Sequence, residues 1–151
     1  MDRRQQIVEQ WIERLAESRP DQAAPLRTLE PDPFRNPAGY TTRKSLTELW
    51  KQLQSDMAPD AIDAALDAVI RLRAVQDMSP GEAVEFVAHL RPILRQYPET
   101  FDPVLFESRI DQLVLATAKK YWQCREQIAT VRLRERKRMS GLRPASGRAG
   151  A

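Results

Sequence analysis

A chain of 151 residues, 42% hydrophobic and 30% charged, has the length and balance of one soluble domain with its own core. No apolar run approaches the roughly 20 residues that cross a bilayer. MDRRQQIVEQW lacks the apolar stretch of a signal peptide, and the single cysteine excludes an internal disulfide, so a cytoplasmic protein is expected. The net charge of +3 is unevenly placed. Residues 132–151 carry Arg132, Arg134, Arg136, Lys137, Arg138, Arg143 and Arg148 against Glu135 alone, which puts +6 there and leaves −3 on the rest.

Helical periodicity runs through the chain and strand alternation is scarce, which predicts an all-α bundle of about five helices. Ile7, Val8, Trp11, Ile12 and Leu15 form the first stripe, with Asp2 as N-cap and Ser18 to Pro20 as the stop. The prolines between residues 20 and 40 predict an extended connection with at most a helical turn or two, anchored to the core by Phe34 and Tyr40. Ser45 and Glu48 fit a capping box and mark the next helix, whose inner face is Leu46, Leu49, Trp50 and Leu53. A third is predicted from Pro59 or Asp60 to about Met78. A fourth opens at Ser79, with Pro80 at the first helical position and Glu82 completing the box. Ala83, Phe86, Val87, Leu90, Leu94 and Tyr97 face inward, and Pro92 should kink the helix.

The last helix opens at Asp102–Pro103 and runs to about residue 139, roughly 55 Å at the helical rise. Its inner face begins with Phe106, Ile110 and Leu113 or Val114. The pattern continues as Thr117, Tyr121, Cys124, Ile128 and Val131, a heptad rhythm that marks an interaction seam. Such a length exceeds the width of the domain, so the far end must project or pair. Gly141, Pro144, Gly147 and Gly150 predict disorder after Ser140. The expected division is a helical domain over 1–131 and a basic helix end with a disordered tail over 132–151.

The stretch RAVQDMSPGEAVEFV, from residue 73, joins the third and fourth helices. On a helical projection Ala61, Ile62, Ala65, Leu66, Val69 and Leu72 share one arc, and Asp60, Asp63, Asp67 and Arg71 lie opposite. Arg73 and Gln76 fall inside the apolar arc, and Asp77 sits at its edge. A buried guanidinium needs a partner, and Asp77 at i+4 is the natural one. Two readings follow. Arg73, Gln76, Asp77 and Ser79 form a polar anchor under the helix junction, or they line a pocket where Arg73 receives a small anion or a partner's carboxylate.

RAVQDMSPGEAVEFV, with FRNPAGYTTRKSLTELW at 34–50, resembles the N-terminal domain of RsbT co-antagonist proteins of the RsbRD type. Arg73, Ala74, Gln76, Asp77, Ser79, Pro80, Ala83 and Phe86 fit that family's pattern, as do Phe34, Asn36, Pro37 and Gly39. The resemblance covers about residues 5–115. It implies a sensory input module of stressosome-type signalling, globin-like but without haem, dimeric, with a long last helix that carries the signal onward. In that group a STAS domain usually follows. This sequence leaves no length for one, so a stand-alone regulatory or accessory domain is expected.

No phosphate loop, HExxH, CxxC or nucleophile elbow is present, and no nucleophile, base and orienting group can be assembled, so an enzyme is not expected. His89 projects off the centre of its arc and argues against a haem ligand; no cofactor or metal is expected. Asp60, Asp63 and Asp67 read as a solvated face near a helix start. Cys124 reads as a small apolar residue of a helix interface that could cross-link in a parallel dimer. Asn36 reads as a backbone-bonding residue of a turn. The basic row Arg132, Arg134, Arg136, Lys137 and Arg138 suits a solvated helix end, an anionic membrane surface or an acidic protein. The lack of aromatic residues after Trp122 counts against nucleic acid. The expectation is a non-enzymatic regulatory or adaptor domain with a protein partner and a homodimer through the last helix. The alternative is a small accessory subunit of a redox or membrane-associated complex, docked by its basic tail and long helix.

Overall fold

The computed structural model describes residues 2–28, 32–76 and 78–142. Among them the regular structure is helical: α1 (Arg3–Ser18), α2 (Ala23–Arg27), α3 (Pro37–Leu53), α4 (Pro59–Val75), α5 (Pro80–Ala88), α6 (Leu90–Leu94) and α7 (Pro103–Leu142). Two 3-10 turns, Pro20–Gln22 and Pro98–Thr100, link them. The expected all-α bundle is therefore found.

Helices α1, α3 and α5 start at side-chain caps. Asp2 Oδ1 accepts the Gln5 amide at 2.8 Å while Gln5 Oε1 accepts the Asp2 amide at 3.1 Å, a box closed by glutamine. The α1 stripe is buried as its spacing requires. Trp11 Nε1 donates to the Phe86 carbonyl at 2.6 Å, and the two rings stack with centroids 6.0 Å apart, which fixes α1 on α5. Trp50 meets Phe106 at 5.7 Å and joins α3 to α7. Helix α4 packs against both α3 and α7.

The start of α3 corrects the sequence reading. The helix begins at Pro37, not near Ser45. Asn36 is the N-cap: its Oδ1 accepts the Gly39 amide at 3.1 Å, and its Nδ2 donates to the Pro25 carbonyl at 2.7 Å. Pro37 takes the first helical position, where its missing donor costs nothing. A side chain at Gly39 would collide with the Pro25 carbonyl and with Asn36, so α2 approaches α3 only over glycine. Ser45 lies buried in mid-helix, and Glu48 Oε1 accepts from the Gln52 side-chain Nε2 at 3.0 Å instead of capping. Phe34 is 93% exposed and Tyr40 also lies outside the core; the clamp of Asn36 on Pro25 does the anchoring expected of them.

One helix end also differs from expectation. Helix α4 stops at Val75, short of Met78. Pro92 has no N–H for the Ala88 carbonyl and its ring crowds that group, so the helix is interrupted at His89 alone, which keeps helical backbone angles between α5 and α6, in line with the expected disturbance.

Helix α7 has 40 residues, about 60 Å of helix. Phe106, Ile110 and Leu113 are buried against the bundle, and residues 129–141 are all exposed. The helix passes through 131–132 and Ser140 without interruption. Arg143, Arg148 and the disorder expected over 143–151 lie outside the described residues. Among the described residues no helix is long and apolar enough to cross a membrane.

Candidate functional site

The α4–α5 junction gathers most of the residues singled out by sequence. Ser79 caps α5, its Oγ accepting the Glu82 amide at 3.2 Å, with Pro80 at the first helical position. Arg73 sits on the last turn of α4, in line with Val69 and Ile70, and is 8% exposed. Its Nη1 lies 3.4 Å from the Glu82 carbonyl, a long contact, and 3.5 Å from Met78 Sδ, and the guanidinium carbon is 5.2 Å from the Phe86 ring centroid. Among the described residues no carboxylate forms an ion pair with it; Asp77, the expected partner, lies outside them. Burial first, then the nearby Arg19, pushes the Arg73 pKa down to about 10 against the pull of Glu85 and Glu82. At neutral pH the group is still a buried cation. Arg19 itself holds Glu82 at 2.8 Å and Asp21 at 3.5 Å.

Helix α7 grips the other side of the junction. The Tyr121 hydroxyl donates to the Met78 carbonyl, and Arg125 Nη1 donates to the Ala74 carbonyl at 3.1 Å. Beside Tyr121, Lys120 Nζ reaches Asp63 at 2.7 Å and Asp67 at 3.6 Å, while Asp67 also meets Arg71 at 3.0 Å. Asp63 and Asp67 are thus more than the solvated face expected of them: they bind α4 to α7. Asp63 raises the Lys120 pKa, and Arg71, with Lys120 behind it, lowers that of Asp67. Sequence reasoning passed over Lys120 and Arg125. Their signal was weak but present, since both flank Tyr121 on the stripe that turns toward α4.

The heptad seam divides. Thr117, Tyr121 and Cys124 are buried within their own bundle, Ile128 is half-buried against it, and Val131 is 51% exposed. The first three are therefore core residues with no face left for a second chain. Burial pushes the Cys124 thiol up and keeps it from a partner's cysteine. The row Arg132, Arg134, Arg136, Lys137 and Arg138 is exposed; α7 runs on to Leu142, and its final turn holds no basic residue. Gln76, expected in the apolar arc, is exposed because α4 has already ended. It stands at the rim of a cavity of about 140 Å³ between the α1–α2 connection, the start of α3 and the end of α4; Thr42, Val69, Leu72 and Arg73 line its walls.

His89 occupies the break between α5 and α6. Its Nε2 is 3.5 Å from Glu85, and its Nδ1 makes no hydrogen bond among the described residues. No cluster of potential ligands fit for a metal occurs among the described residues. What the junction offers is mechanical: the long helix α7 holds by two side chains the same short stretch that the buried Arg73 touches.

No curated protein and no solved structure matches the chain. A family model described as the RsbT co-antagonist protein rsbRD N-terminal domain matches residues 5–136, from the first turn of α1 into the basic row of α7. That span covers the junction and its whole grip on α7, and the chain belongs to this family.

Proposed function

We propose that the chain is a regulatory input domain of the stressosome type, acting in the cytoplasm without catalysis and passing its state to a protein partner along α7. The observation that carries this reading is the continuity of α7. The same unbroken helix holds the α4–α5 junction through Tyr121 and Arg125 and then leaves the bundle, exposed on every side from residue 129 to 141. A change at the junction reaches the projecting end without a hinge between them. Val131, Leu133 and Met139, each more than half exposed, place single apolar side chains on different faces of that end.

The test is co-purification from nuclease-treated native lysate with the full chain and with a version ending at Val131, the captured proteins being identified by mass spectrometry. A signalling protein retained by the full chain and lost or weakened by the truncation supports the reading. Recovery of no protein with either version overturns it. The exposed basic row favours a second reading, an accessory subunit docked on an acidic surface. Capture of a redox or membrane complex that needs residues 132–151 and fades with salt would select it.

A further inference from the structure

We infer that the cavity beside Arg73 binds a short-chain monocarboxylate of the size of propionate or butyrate. Its carboxylate would meet the Arg73 guanidinium, and its alkyl chain the wall formed by Leu26, Val69 and Leu72. Arg73 is 8% exposed and charged at neutral pH, yet its contacts among the described residues are a sulfur, one long carbonyl bond and an aromatic face. Arg73 lines the cavity, and a buried guanidinium with donors to spare can take an oxyanion there in bidentate geometry once it turns from Glu82. Thr42, 3% exposed, brings a hydroxyl to the same space.

Three features narrow the class. One buried cation balances one negative charge. Asp21 at the rim, although paired with Arg19 at 3.5 Å, disfavours a dianion. The volume, about 140 Å³, is close to the roughly 150 Å³ of a protein cavity that accepts benzene. Butyrate has the same number of heavy atoms. Phosphate, doubly charged for much of the neutral range and without an apolar part, suits neither the rim nor the wall.

Occupancy would draw the guanidinium from Glu82 and Met78 toward the cavity, and Met78 is the residue whose carbonyl Tyr121 holds. The binding stands on the geometry alone. Its role as the input signal rests on the regulatory reading above.

The experiment is thermal denaturation of the full chain against sodium butyrate at constant ionic strength, with inorganic phosphate as the comparison anion. The wild type should show a saturable rise of a few degrees in Tm with butyrate and a smaller one with phosphate. Arg73→Met removes a buried charge while keeping the volume, so it should melt no lower than the wild type in the absence of ligand and should not respond to butyrate. The near-isosteric Thr42→Val should bind several-fold more weakly. A chain with glutamine at 132, 134, 136, 137 and 138 should respond like the wild type. The inference is overturned by an undiminished response in Arg73→Met and Thr42→Val, or by loss of the response in the glutamine chain. It is equally overturned if phosphate stabilises as much as butyrate, or if no saturable shift appears up to about 50 mM butyrate. Because the readout is ligand binding and not partner capture, a positive result with no partner would sink the regulatory reading and leave the site standing.

Discussion

The two halves of α7 belong to one continuous helix and have opposite surroundings. From Phe106 to Cys124 one stripe is buried, with Ile110, Leu113, Thr117 and Cys124 at 1% exposure or less. Lys120, Tyr121 and Arg125 reach across to α4 and to the junction beyond it. From residue 129 to 141 the same helix is exposed throughout. The difference is one of composition. The buried half offers an apolar residue every three or four positions, whereas the outer half has basic residues at nearly every second place. A helix of that kind is held at one end by packing and at the other only by its own backbone hydrogen bonds. Most helical stability in proteins comes from packing, so the outer half borrows its order from the inner one.

Substitutions can break that contrast in graded steps. Ile110→Ala, which empties a fully enclosed site on the inner half, should cost about 2–5 kcal/mol in chemical denaturation. Tyr121→Phe leaves the Met78 carbonyl without its partner in a buried place. It should cost about 1–3 kcal/mol and loosen α7 selectively, seen as faster amide exchange beyond residue 121 than in α1. Lys120→Met should cost no more than about 1 kcal/mol near neutral pH, because Asp63, its nearer partner, is mostly in solvent. Its cost also has a pH signature. Asp63 raises the Lys120 pKa above the ordinary 10.5. The pair's contribution is therefore full below pH 10.5 and fades as pH climbs through the raised value, so wild type and variant should converge in strongly alkaline solution. At the far end, Leu133→Ala should change stability by no more than about 0.5 kcal/mol while weakening partner capture. A large loss of stability there would mean that the outer half packs against something after all.

Much of the bundle was legible because its signals are local. SPGE at 79–82 encodes a helix start in four residues, and the stripes of α1 and α5 name their own buried faces. Asn36-Pro37-Ala38-Gly39 misled because its residues suit two jobs. The same asparagine, proline and glycine that make a turn also make a cap, a first helical position and a close approach, and only the position of Pro25 decides between them. The Ser45–Glu48 spacing imitates a capping box, but Ser45 falls on the buried face of a helix already under way. Burial of Arg73 followed from its place on the α4 arc. A pocket beside it was one of the two readings, but its walls could not be named, since they come from three segments far apart in sequence, and neither could the contact of Lys120 with α4. Periodicity states which face is inside without naming what that face meets.

The grip of Tyr121 on the junction gives the projecting end a long lever arm. From Tyr121 to Leu142 the helix extends about 30 Å. A tilt of about 5° at Tyr121, within the scale of shifts by which helices switch, would carry the far end roughly 3 Å sideways. At Arg136, Lys137 and Arg138, about 24 Å from Tyr121, the same tilt gives roughly 2 Å, so a small adjustment under Met78 displaces those exposed cations by a sizeable part of an ion pair's reach.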